Sequence, residues 1–523
     1  MEGVRRVSIL GGGPGGLYAA GLLKRRHPGM DVVVYERNER GATFGFGVGL
    51  TGRARDSLAT ADPETFEAIM ARGWSSTGQE FRLPGGDRAV IAARDPHFGV
   101  GRAPLLHVLA ERALELGVVF ELGRAFEADE LDGDVVVAAD GANSATRTKL
   151  ASQFGADVEV GRELYLWCGA DFRLDHPIFA AVRTEHGTFV AHAYPYGPDR
   201  STFLVETDET TWRRAGFDAT TAALAGAPPG ASDDASIAYL SAVFADHLGG
   251  HTLLGNRTRW LRFPTVRCER WHAGRVVLLG DAAHTAHYSV GSGTKLALED
   301  AIALVDALGQ GAGVEPAFDR YEAARRPPVE RLQRLARRSQ LWWESFPRRL
   351  DSTAHRLAVS YMTRAGALSL AQLHATNPEL VRSALADYAG VAPEAGPPAR
   401  LDGWVVDQPL AWRDRRFESR RLERLPEGVD SVSVGISDPW GSEADDLVAM
   451  VGERLAAGAA GVCLRGDGGR DALLDRLAVG ERLRLETPAL VIVEVGADHG
   501  DVVAAGLAAG RTHLILQREE VGS

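Results

Sequence analysis

A glycine-rich turn between two strand-like segments constrains the fold of this chain more than any other feature. The apolar residues 7–10 lead directly into residues 11–16, which fit the pattern GxGxxG. A second apolar run, residues 32–35, ends on Glu36, twenty residues after Gly16. A strand, a tight turn, a helix and an acid-ended strand in this order predict a dinucleotide-binding βαβ unit. The pattern indicates a nucleotide and leaves the reaction open.

Each position of such a turn has its own task. Gly11 allows the tight turn, Gly13 lets the backbone approach a pyrophosphate, and Gly16 lets the helix pack on the strand. Pro14 and Gly15 lie at the start of the helix, whose N-terminus attracts the phosphate charge. We therefore predict that all five residues border the nucleotide.

The residues at the end of the second strand select among nucleotides. Glu36 is expected to accept hydrogen bonds from ribose hydroxyl groups, and Arg37 beside it is a further candidate for cofactor binding. An acid rather than an arginine at position 36 favours the unphosphorylated ribose of FAD or NAD. Residues 47–52 fit the same glycine pattern, but they lack a β-branched strand before and an acidic strand end after. We interpret that second match as a loop.

Composition predicts an ordinary globular enzyme of two or three domains. The chain has 523 residues, of which 45% are hydrophobic and 24% charged, and its net charge of −12 argues against a nucleic acid partner. Cys168, Cys268 and Cys463 lie far apart without CxxC spacing, which predicts no metal centre and a reducing, cytoplasmic location. Since no apolar run is long enough for a membrane span, we expect no membrane partner.

Periodicity changes along the chain and predicts an α/β fold built from several parts. Residues 1–155 and 270–390 alternate strands with helices and are expected to form a Rossmann-type nucleotide-binding domain. Strand-like runs within residues 156–269 predict an inserted antiparallel sheet that binds substrate. Residues 391–413 hold several prolines and indicate a linker. Residues 414–523 alternate four strands with three helices and form a separate α/β part.

Three further motifs follow the glycine turn. Arg102 opens a helix, Asp140 follows a buried strand, and Asp281 closes the strand where the α/β pattern returns. Each alone is also typical of a surface charge, a turn or a helix cap. Together with the glycine turn they resemble the class A flavoprotein aromatic monooxygenases of the para-hydroxybenzoate hydroxylase fold. The resemblance covers about residues 5–385.

This resemblance implies a cofactor, a reductant and a cosubstrate. FAD would bind without a covalent bond, with Arg102 at its phosphates and ribityl chain and Asp281 at the ribityl chain. Asp140 would lie where segments of FAD and of the nicotinamide nucleotide meet. NADH or NADPH would bind transiently to reduce the flavin, and O2 would be consumed.

A second glycine loop, at Gly291, Ser292, Gly293 and Thr294, opens the helix that follows. Its backbone N–H groups are expected to face the pyrimidine end of the flavin. The broad family usually has a proline near position 287 and a GQG loop, where this chain has His287 and Gly-Ser-Gly. The departure narrows the resemblance to one branch of the family.

Several short segments rich in aromatic residues and histidine resemble that branch. They are residues 165–167, 185–187, 191–194, 201–206, 270–271 and 342–344. The branch contains hydroxylases of aryl-CoA thioesters and also a tryptophan hydroxylase. It implies an electron-rich ring and, first, salicylyl-CoA hydroxylated at carbon 5. A free or carrier-bound tryptophan, indole or aminobenzoyl substrate is the alternative. A catalytically silent FAD-binding scaffold is the alternative from another class.

The last part of the chain resembles half of an old-yellow-enzyme TIM barrel, a domain that is fused to the monooxygenase in bifunctional relatives. A complete barrel needs eight strands and about 250 residues, and residues 414–523 provide four predicted strands. We therefore expect a structural remnant that binds no flavin of its own. Its unpaired edge and apolar face suggest docking on the monooxygenase domain or on a second subunit, as in a homodimer.

Four side chains are candidates for polarising the substrate: His192, Tyr194, His287 and Tyr288. His287 and Tyr288 are favoured because they closely follow Asp281 and should reach the flavin ring. The competing interpretation is packing, since a histidine on a sheet is more often a core residue than a base.

Overall fold

The computed structural model describes residues 3–228, 230–291, 293–311, 313–392 and 400–518. The chain divides into two compact units, which are described separately below. Unit 1 comprises Met1–Gln79 and Asp95–Gln340, and unit 2 comprises Glu80–Arg94 and Leu341–Ser523.

The strands, numbered along the chain, are as follows. They are β1 (Arg6–Leu10), β2 (Asp31–Glu36), β3 (Gly47–Leu50), β4 (Gly73–Ser76), β5 (Gln79–Arg82), β6 (Arg88–Ile91), β7 (His97–Gly101), β8 (Val119–Leu122), β9 (Val135–Ala138), β10 (Ala156–Ala170), β11 (Ile178–Arg183), β12 (Thr188–Gly197), β13 (Arg200–Thr207), β14 (Leu253–Leu254), β15 (Trp260–Cys268), β16 (His272–Ala273), β17 (Val276–Leu278), β18 (Leu410–Trp412), β19 (Arg415–Phe417), β20 (Arg421–Leu422), β21 (Val429–Ser433), β22 (Gly461–Arg465), β23 (Leu490–Val495) and β24 (Leu514–Gln517).

The helices are numbered in the same way. They are α1 (Pro14–Arg26), α2 (Gly52–Ala61), α3 (Pro63–Met70), α4 (Arg102–Glu115), α5 (Ala145–Lys149), α6 (Ala151–Phe154), α7 (Glu209–Arg214), α8 (Phe217–Ala223), α9 (Asp234–Val243), α10 (Ala245–Leu248), α11 (Gly293–Gly309), α12 (Val314–Glu344), α13 (Ala354–Thr363), α14 (Leu370–Thr376), α15 (Pro378–Ala389), α16 (Leu401–Asp407), α17 (Ser442–Ala456), α18 (Arg470–Glu486) and α19 (Gly500–Ala508). Short 3₁₀ turns include Gly280–Ala282 and Tyr288–Val290.

Unit 1 is built on a six-stranded sheet in the order β16-β17-β9-β1-β2-β8. The pairs β17-β9, β9-β1, β1-β2 and β2-β8 are parallel. Strands β1, β2 and β9 are almost entirely buried, as expected for a parallel sheet covered on both faces. The predicted Rossmann-type α/β domain is confirmed.

Glycines in the first turn allow α1 to lie against β1. Gly11 has a φ of +112°, and a Cβ on it would lie 2.3 Å from the Ala139 carbonyl oxygen. A Cβ on Gly16 would lie 2.1 Å from the Gly11 carbonyl oxygen, and one on Gly15 would lie 2.5 Å from Leu279 Cδ2. These positions therefore exclude side chains because of packing within the protein.

The second glycine match is not the loop that the sequence suggested. Residues 47–50 form β3, which pairs antiparallel with β7, and α2 begins at Gly52. A Cβ on Gly47 would lie 2.4 Å from Tyr196 Cδ1, so this glycine permits a close approach of neighbouring segments. The antiparallel pairing means that this strand and helix do not form a second βαβ nucleotide unit.

An antiparallel sheet lies between the two parts of the nucleotide-binding domain. Its order is β14-β10-β13-β12-β11, with β15 also paired to β10. One face carries buried apolar side chains such as Phe189 and Phe203, which pack with residues of α7–α10 such as Phe217 and Leu240. The other face is richer in polar and aromatic side chains and forms part of the candidate site.

Unit 2 contains a five-stranded sheet in the order β20-β24-β23-β22-β21, in which all neighbours are parallel. Strands β21 to β24 alternate with α17, α18 and α19, as the sequence predicts. Helices α13–α16 contribute Val359, Leu370, Val381 and Val405 to the same core as these elements. Its likeness to half of an old-yellow-enzyme barrel stays a prediction.

Unit 2 begins earlier in the chain than the predicted boundary. We expected residues 270–390 to close the first domain, but helices α13–α15 pack with the C-terminal sheet because their apolar faces share its core. Of the expected linker, residues 393–399 lie outside the described residues, and α16 and β18 occupy much of the rest. No helix in the described part of the chain is long and apolar enough to cross a membrane.

Unit 2 also takes in the hairpin β5–β6 from the first part of the sequence. The Ala92 N–H donates to Asn377 Oδ1 at 2.6 Å, and the Ala354 N–H donates to Asp87 Oδ2 at 2.7 Å. Phe81 is fully buried, and its ring packs edge-on to Tyr361.

The glycine turn gives a test of the fold. Gly16→Ala should lower the free energy of unfolding by about 3 kcal/mol, because its Cβ would displace α1 from β1. Gly21→Ala in the same helix is the matched control, since nothing lies within 4 Å of its added Cβ and alanine favours a helix by about 1 kcal/mol. Denaturant unfolding of both nucleotide-free variants, followed by tryptophan fluorescence, measures the difference. Equal stability would contradict this account of the turn.

Candidate active site

The carboxylate of Glu36 is fixed beside the glycine turn. It accepts hydrogen bonds from the Gly12 N–H at 2.8 Å and from Asn38, whose N–H and Nδ2 lie at 2.8 and 2.6 Å. Asn38 was missed in the sequence because no motif marks it. Arg37 is exposed to solvent. The end of β2 therefore presents a held acid at the edge of the sheet where Gly13 opens toward free space.

Asp140 lies at the corresponding end of β9. Its Oδ2 accepts hydrogen bonds from the Thr146 N–H at 3.1 Å and from Thr146 Oγ1 at 3.0 Å. Its Oδ1 is buried and has no hydrogen-bond partner among the described residues. Arg147 donates to the Ala282 carbonyl at 2.9 Å, which ties this loop to the turn after β17.

Arg102 and Asp281 provide opposite charges on the same side of unit 1. Arg102 begins α4, and its guanidinium lies over the Trp167 ring at 5.9 Å. Burial lowers the pKa of Arg102, while Asp281 acts to raise it. Asp281 retains exposed surface, but burial by the surrounding protein raises the pKa of its carboxyl group. The charges of His284 and Arg102 act in the opposite direction and only partly offset this rise. A carboxyl group that is both solvent-accessible and closely surrounded by protein is typical of the wall of a deep cleft.

A buried network holds the turn that carries Asp281. Asp300 is fully buried and accepts hydrogen bonds from the Gly280 N–H at 3.2 Å and from Arg325 Nε at 2.7 Å. His284 Nε2 lies 2.7 Å from Asp300 Oδ2. The pKa of Asp300 is pushed up by burial, but His284 and Arg325 outweigh this and hold it below its ordinary value. The network fixes the end of β17 in place.

The second glycine loop lies next to Asp281. Gly291 has a φ of +60°, and a Cβ on Gly293 would lie 3.9 Å from Asp281 Oδ1. Gly293 begins α11, with Thr294 half-buried behind it. Ser292 lies outside the described residues. The N-terminus of α11 is therefore placed beside the turn after β17.

The arrangement fits a bound dinucleotide. At this site, the buried atoms without a hydrogen-bond partner among the described residues include Arg102 Nε, Asp140 Oδ1 and Trp167 Nε1. Buried polar atoms are nearly always partnered, so a missing ligand accounts for such a group. A phosphate or carbonyl oxygen would satisfy the two donors, and a hydroxyl or amide would satisfy the acid. FAD carries all of these groups.

A buried glutamate joins two of the four predicted catalytic residues. Tyr288 donates a hydrogen bond to Glu206 Oε2 at 2.5 Å, and His192 Nε2 lies 3.0 Å from Glu206 Oε1. His192 and Glu206 lie on neighbouring strands β12 and β13, and both are less than a tenth exposed. Tyr165 packs against Tyr288 with ring centroids 5.1 Å apart. These residues define the acid cluster: Glu206, His192 and Tyr288.

The other two candidates lie beside the acid cluster with different partners. The His287 ring lies 4.0 Å from the Tyr288 ring, and its Nδ1 lies 2.8 Å from Ser289 Oγ. Tyr194 donates its hydroxyl to the Gly47 carbonyl at 2.7 Å. The sequence analysis did not select Glu206, although Glu206 is the last residue of the strand-like segment 201–206.

The acid cluster contains one ionised and one protonated group. Burial acts to raise the pKa of Glu206, but His192 and the hydrogen bonds from His192 and Tyr288 hold it below its ordinary value. Burial and the charge of Glu206 raise the pKa of Tyr288 well above its ordinary value. Burial likewise raises the pKa of Tyr165 and of Tyr194 to about 12. At neutral pH, Glu206 is thus a carboxylate that accepts from a neutral phenol.

Comparison with known protein families identifies the type of domain in which this site lies. A family model described as an FAD binding domain matches residues 114–336, and one described as an NAD(P)-binding Rossmann-like domain matches residues 9–43. The tetrameric form of 2-methyl-3-hydroxypyridine-5-carboxylic acid oxygenase matches with a TM-score of 0.51 at 19% identity, over 73% of this chain and 96% of that one. This structural match supports the fold.

Two curated relatives are more similar in sequence. Salicyloyl-CoA 5-hydroxylase from Streptomyces sp. is 37% identical over 98% of this chain and 99% of its own length. 3-Hydroxy-4-methyl-anthranilyl-[aryl-carrier protein] 5-monooxygenase from Streptosporangium sibiricum is 42% identical over 70% of this chain and 95% of its own length. This chain therefore belongs to the family of FAD-dependent aromatic monooxygenases, which use NAD(P)H and O2.

Proposed function

We propose that this monooxygenase hydroxylates an electron-rich aromatic acid carried as a CoA thioester, with carbon 5 of salicyloyl-CoA as the first candidate. The relative named for salicyloyl-CoA matches 98% of the chain, so its similarity extends through unit 2. The relative named for an aryl-carrier protein matches 70% of the chain. An aminobenzoyl group on a carrier protein is the alternative substrate.

The residues around the glycine turn would hold FAD without a covalent bond. Nothing lies within 4 Å of a Cβ built on Gly13, so the pyrophosphate would fit there, and Glu36 would accept hydrogen bonds from the ribose hydroxyls. Arg102 would neutralise phosphate charge, and Asp281 would bind the ribityl chain. When bound, FAD supplies the oxygen chemistry that places one atom of O2 on the aromatic ring, with electrons from NADH or NADPH.

The observation that carries the proposed chemistry is the bridge that Glu206 makes between His192 and Tyr288. A ring becomes more reactive when its hydroxyl group loses a proton, and this hydroxyl can donate to Tyr288 Oη while Tyr288 donates to Glu206. The substrate proton then moves to Tyr288 as the Tyr288 proton moves to Glu206 Oε2. His192 limits the cost of the buried charge before that transfer.

The aromatic side chains around the acid cluster orient the substrate ring and keep water away. Tyr165, Phe263 and His287 each lie between 4.0 and 5.8 Å from the Tyr288 ring by ring centroids. His287 is a positioning residue in this proposal, because its Nδ1 contacts Ser289 and its ring packs on Tyr288. Exclusion of water favours hydroxylation over loss of the reducing equivalents.

Two broader features are also proposed. The three cysteines are free and buried, which supports a reducing, cytoplasmic location. A homodimer is proposed because the parallel sheet of unit 2 has an outer edge strand, β21, that a second subunit would cover.

The cofactor assignment is tested by Gly13→Val. We expect the variant to fold with a normal circular dichroism spectrum, because nothing lies within 4 Å of the added Cβ, yet to retain no FAD, because the side chain fills the pyrophosphate position. Acid precipitation of the wild type should release all its flavin, at one FAD per chain. Full retention of FAD by the variant would show that the turn is misassigned.

The acid cluster is tested by Glu206→Gln and Tyr288→Phe. Each should lower the hydroxylation rate by about 100-fold with FAD content unchanged, since each breaks the proton path. Because the pKa of Glu206 is lowered, the wild-type rate should decline only as pH falls through that lowered pKa, and the Glu206→Gln variant should lack this decline.

Glu209→Gln is the matched control for that experiment. Glu209 is a surface glutamate that pairs with Arg213 and Arg262, so its loss changes the same charge in the same inserted part of the chain. The hydroxylation rate and the product formed per NAD(P)H consumed are measured for all variants over a pH range that extends below 4.5, the ordinary pKa of a glutamate. If the product formed per NAD(P)H consumed is unchanged in both Glu206→Gln and Tyr288→Phe, these two side chains serve only in packing.

The substrate class is tested by comparing acyl carriers. Purified enzyme is given salicyloyl-CoA, 2-aminobenzoyl-CoA and free salicylate, each with NADH and with NADPH. We expect equimolar NAD(P)H oxidation and hydroxylated product with a CoA thioester, and little product from free salicylate. Equal rates with free salicylate would contradict the thioester proposal.

A further inference from the structure

Three arginines of unit 2 converge at the N-terminal ends of two strands of its sheet. Arg356 lies on α13, Arg484 on the last turn of α18, and Arg420 directly before β20. Arg420 and His513 directly precede β20 and β24, which are neighbouring strands of the sheet. We refer to Arg356, Arg420 and Arg484 as the arginine cluster.

Distances show that the three side chains share one region. Arg484 Nη1 lies 3.0 Å and Arg356 Nη2 lies 3.4 Å from the position that a Cβ on Gly510 would take. Arg484 Nε donates to His513 Nε2 at 3.1 Å, and Arg420 Nη1 donates to the His513 carbonyl at 3.3 Å. The Arg420 guanidinium also lies over the ring of Tyr388 at 4.8 Å.

The arginine cluster lacks paired acids within the described ranges of the chain. Among the described residues, none of its members forms an ion pair, and the Arg356 guanidinium makes no hydrogen bond. The Nε atoms of Arg356 and Arg420 are buried and have no partner among the residues that the structure describes. The acids whose charge reaches the cluster are engaged elsewhere: Glu481 binds Arg349 at 2.9 and 2.8 Å, and Asp387 binds Thr353 at 2.6 Å.

The charges of the arginine cluster act on each other. Burial, followed by Arg356, lowers the pKa of Arg484 to about 10. Burial with Arg484 and Arg420 lowers the pKa of His513 to about 2, so this histidine is neutral. Like charges held together in partly buried positions destabilise a fold unless an anion compensates them. A site with this imbalance is suited to an anionic ligand.

We propose that the arginine cluster binds a phosphoryl group of a nucleotide ligand. Guanidinium groups present planar pairs of donors that match phosphate oxygens, and a dianion balances several of them better than one carboxylate does. The unpartnered Nε atoms of Arg356 and Arg420 supply donors for it.

The location separates this site from a flavin site of barrel type. Barrel enzymes bind phosphate at the C-terminal ends of their strands, whereas Arg420 and His513 lie at the N-terminal ends of β20 and β24. Two ligands of this enzyme class carry suitable phosphates. One is a CoA thioester, through its 3′-phosphorylated ADP part, and this choice rests on the proposed function. The other is the nicotinamide dinucleotide.

Binding to the full-length holoenzyme tests the proposal. Isothermal titration calorimetry is done with inorganic phosphate, adenosine 3′,5′-bisphosphate and NADP⁺ on the wild type, Arg356→Gln and Arg382→Gln. Arg382 is the matched control, because it lies on the surface of α15 and pairs with Glu379. Arg356→Gln should weaken phosphate-ligand binding about tenfold or more, and Arg382→Gln should leave it unchanged.

The probes distinguish the two sources of phosphate. An Arg356-dependent preference for adenosine 3′,5′-bisphosphate assigns the site to the acyl carrier, and one for NADP⁺ assigns it to the nicotinamide nucleotide. These results do not depend on turnover, so they stand even if the proposed aromatic substrate is wrong. Absence of binding by the wild type, or equal binding by Arg356→Gln, would overturn the proposal.

Melting temperature provides a second readout. Without ligand, Arg356→Gln should melt at or above the wild-type temperature, because no hydrogen bond is lost and repulsion falls. Inorganic phosphate should raise the wild-type melting temperature more than potassium chloride of equal ionic strength, and should not do so in the variant. A lower melting temperature of the variant with no phosphate effect in the wild type would show a purely structural cluster. Loss of oligomeric state with no phosphate effect would assign the cluster to a partner's carboxylate, and both results overturn the proposal.

Discussion

The contact between Gly16 and the Gly11 carbonyl is the constraint on which the nucleotide end of unit 1 depends. It holds the N-terminus of α1 against the end of β1, at the centre of a parallel sheet. Because neighbouring strands run in the same direction, their carboxyl ends meet at one edge. Glu36, Asp140 and the turn with Asp281 therefore come together although they are far apart in the chain. The close approach at Gly16 therefore places the N-terminus of α1 at the same edge of the sheet as these acids.

The same topology explains why much of the site could be predicted from sequence. A strand that ends on an acid must place that acid at the common edge, whatever length of chain intervenes. Glu206 could not be predicted in this way, because it lies near the end of an antiparallel strand. Its partners depend on the register between β12 and β13, which aligns it with Val190 and leaves His192 on the diagonal. Asp300 and Asn38 were missed for a related reason, since their role is to hold other residues.

Two of the buried carboxylates of unit 1, Asp300 and Glu206, differ in how completely the protein fixes their hydrogen bonds. Asp300 is held by a histidine, an arginine and a backbone N–H, so every strong interaction is fixed within the protein. Glu206 is balanced by His192 and by the phenol of Tyr288, whose oxygen can still accept. The first arrangement is suited to holding a turn, and the second to moving a proton.

The division of the chain into two units was predicted less well than the site. The helices between residues 354 and 389 show the same apolar periodicity whichever hydrophobic core they join.

The hairpin β5–β6 has a consequence for how this protein could be divided or shortened. Glu80–Arg94 lies early in the chain yet belongs to the unit formed mainly by residues after 340. Any version that ends near residue 340 would still carry Phe81, Ala89 and Ile91, all buried in the whole protein, with the segments that cover them removed. Unit 2 is therefore not a detachable appendage. The two stretches, distant in sequence, are parts of one compact unit, so a division of the chain near residue 340 cuts through that unit.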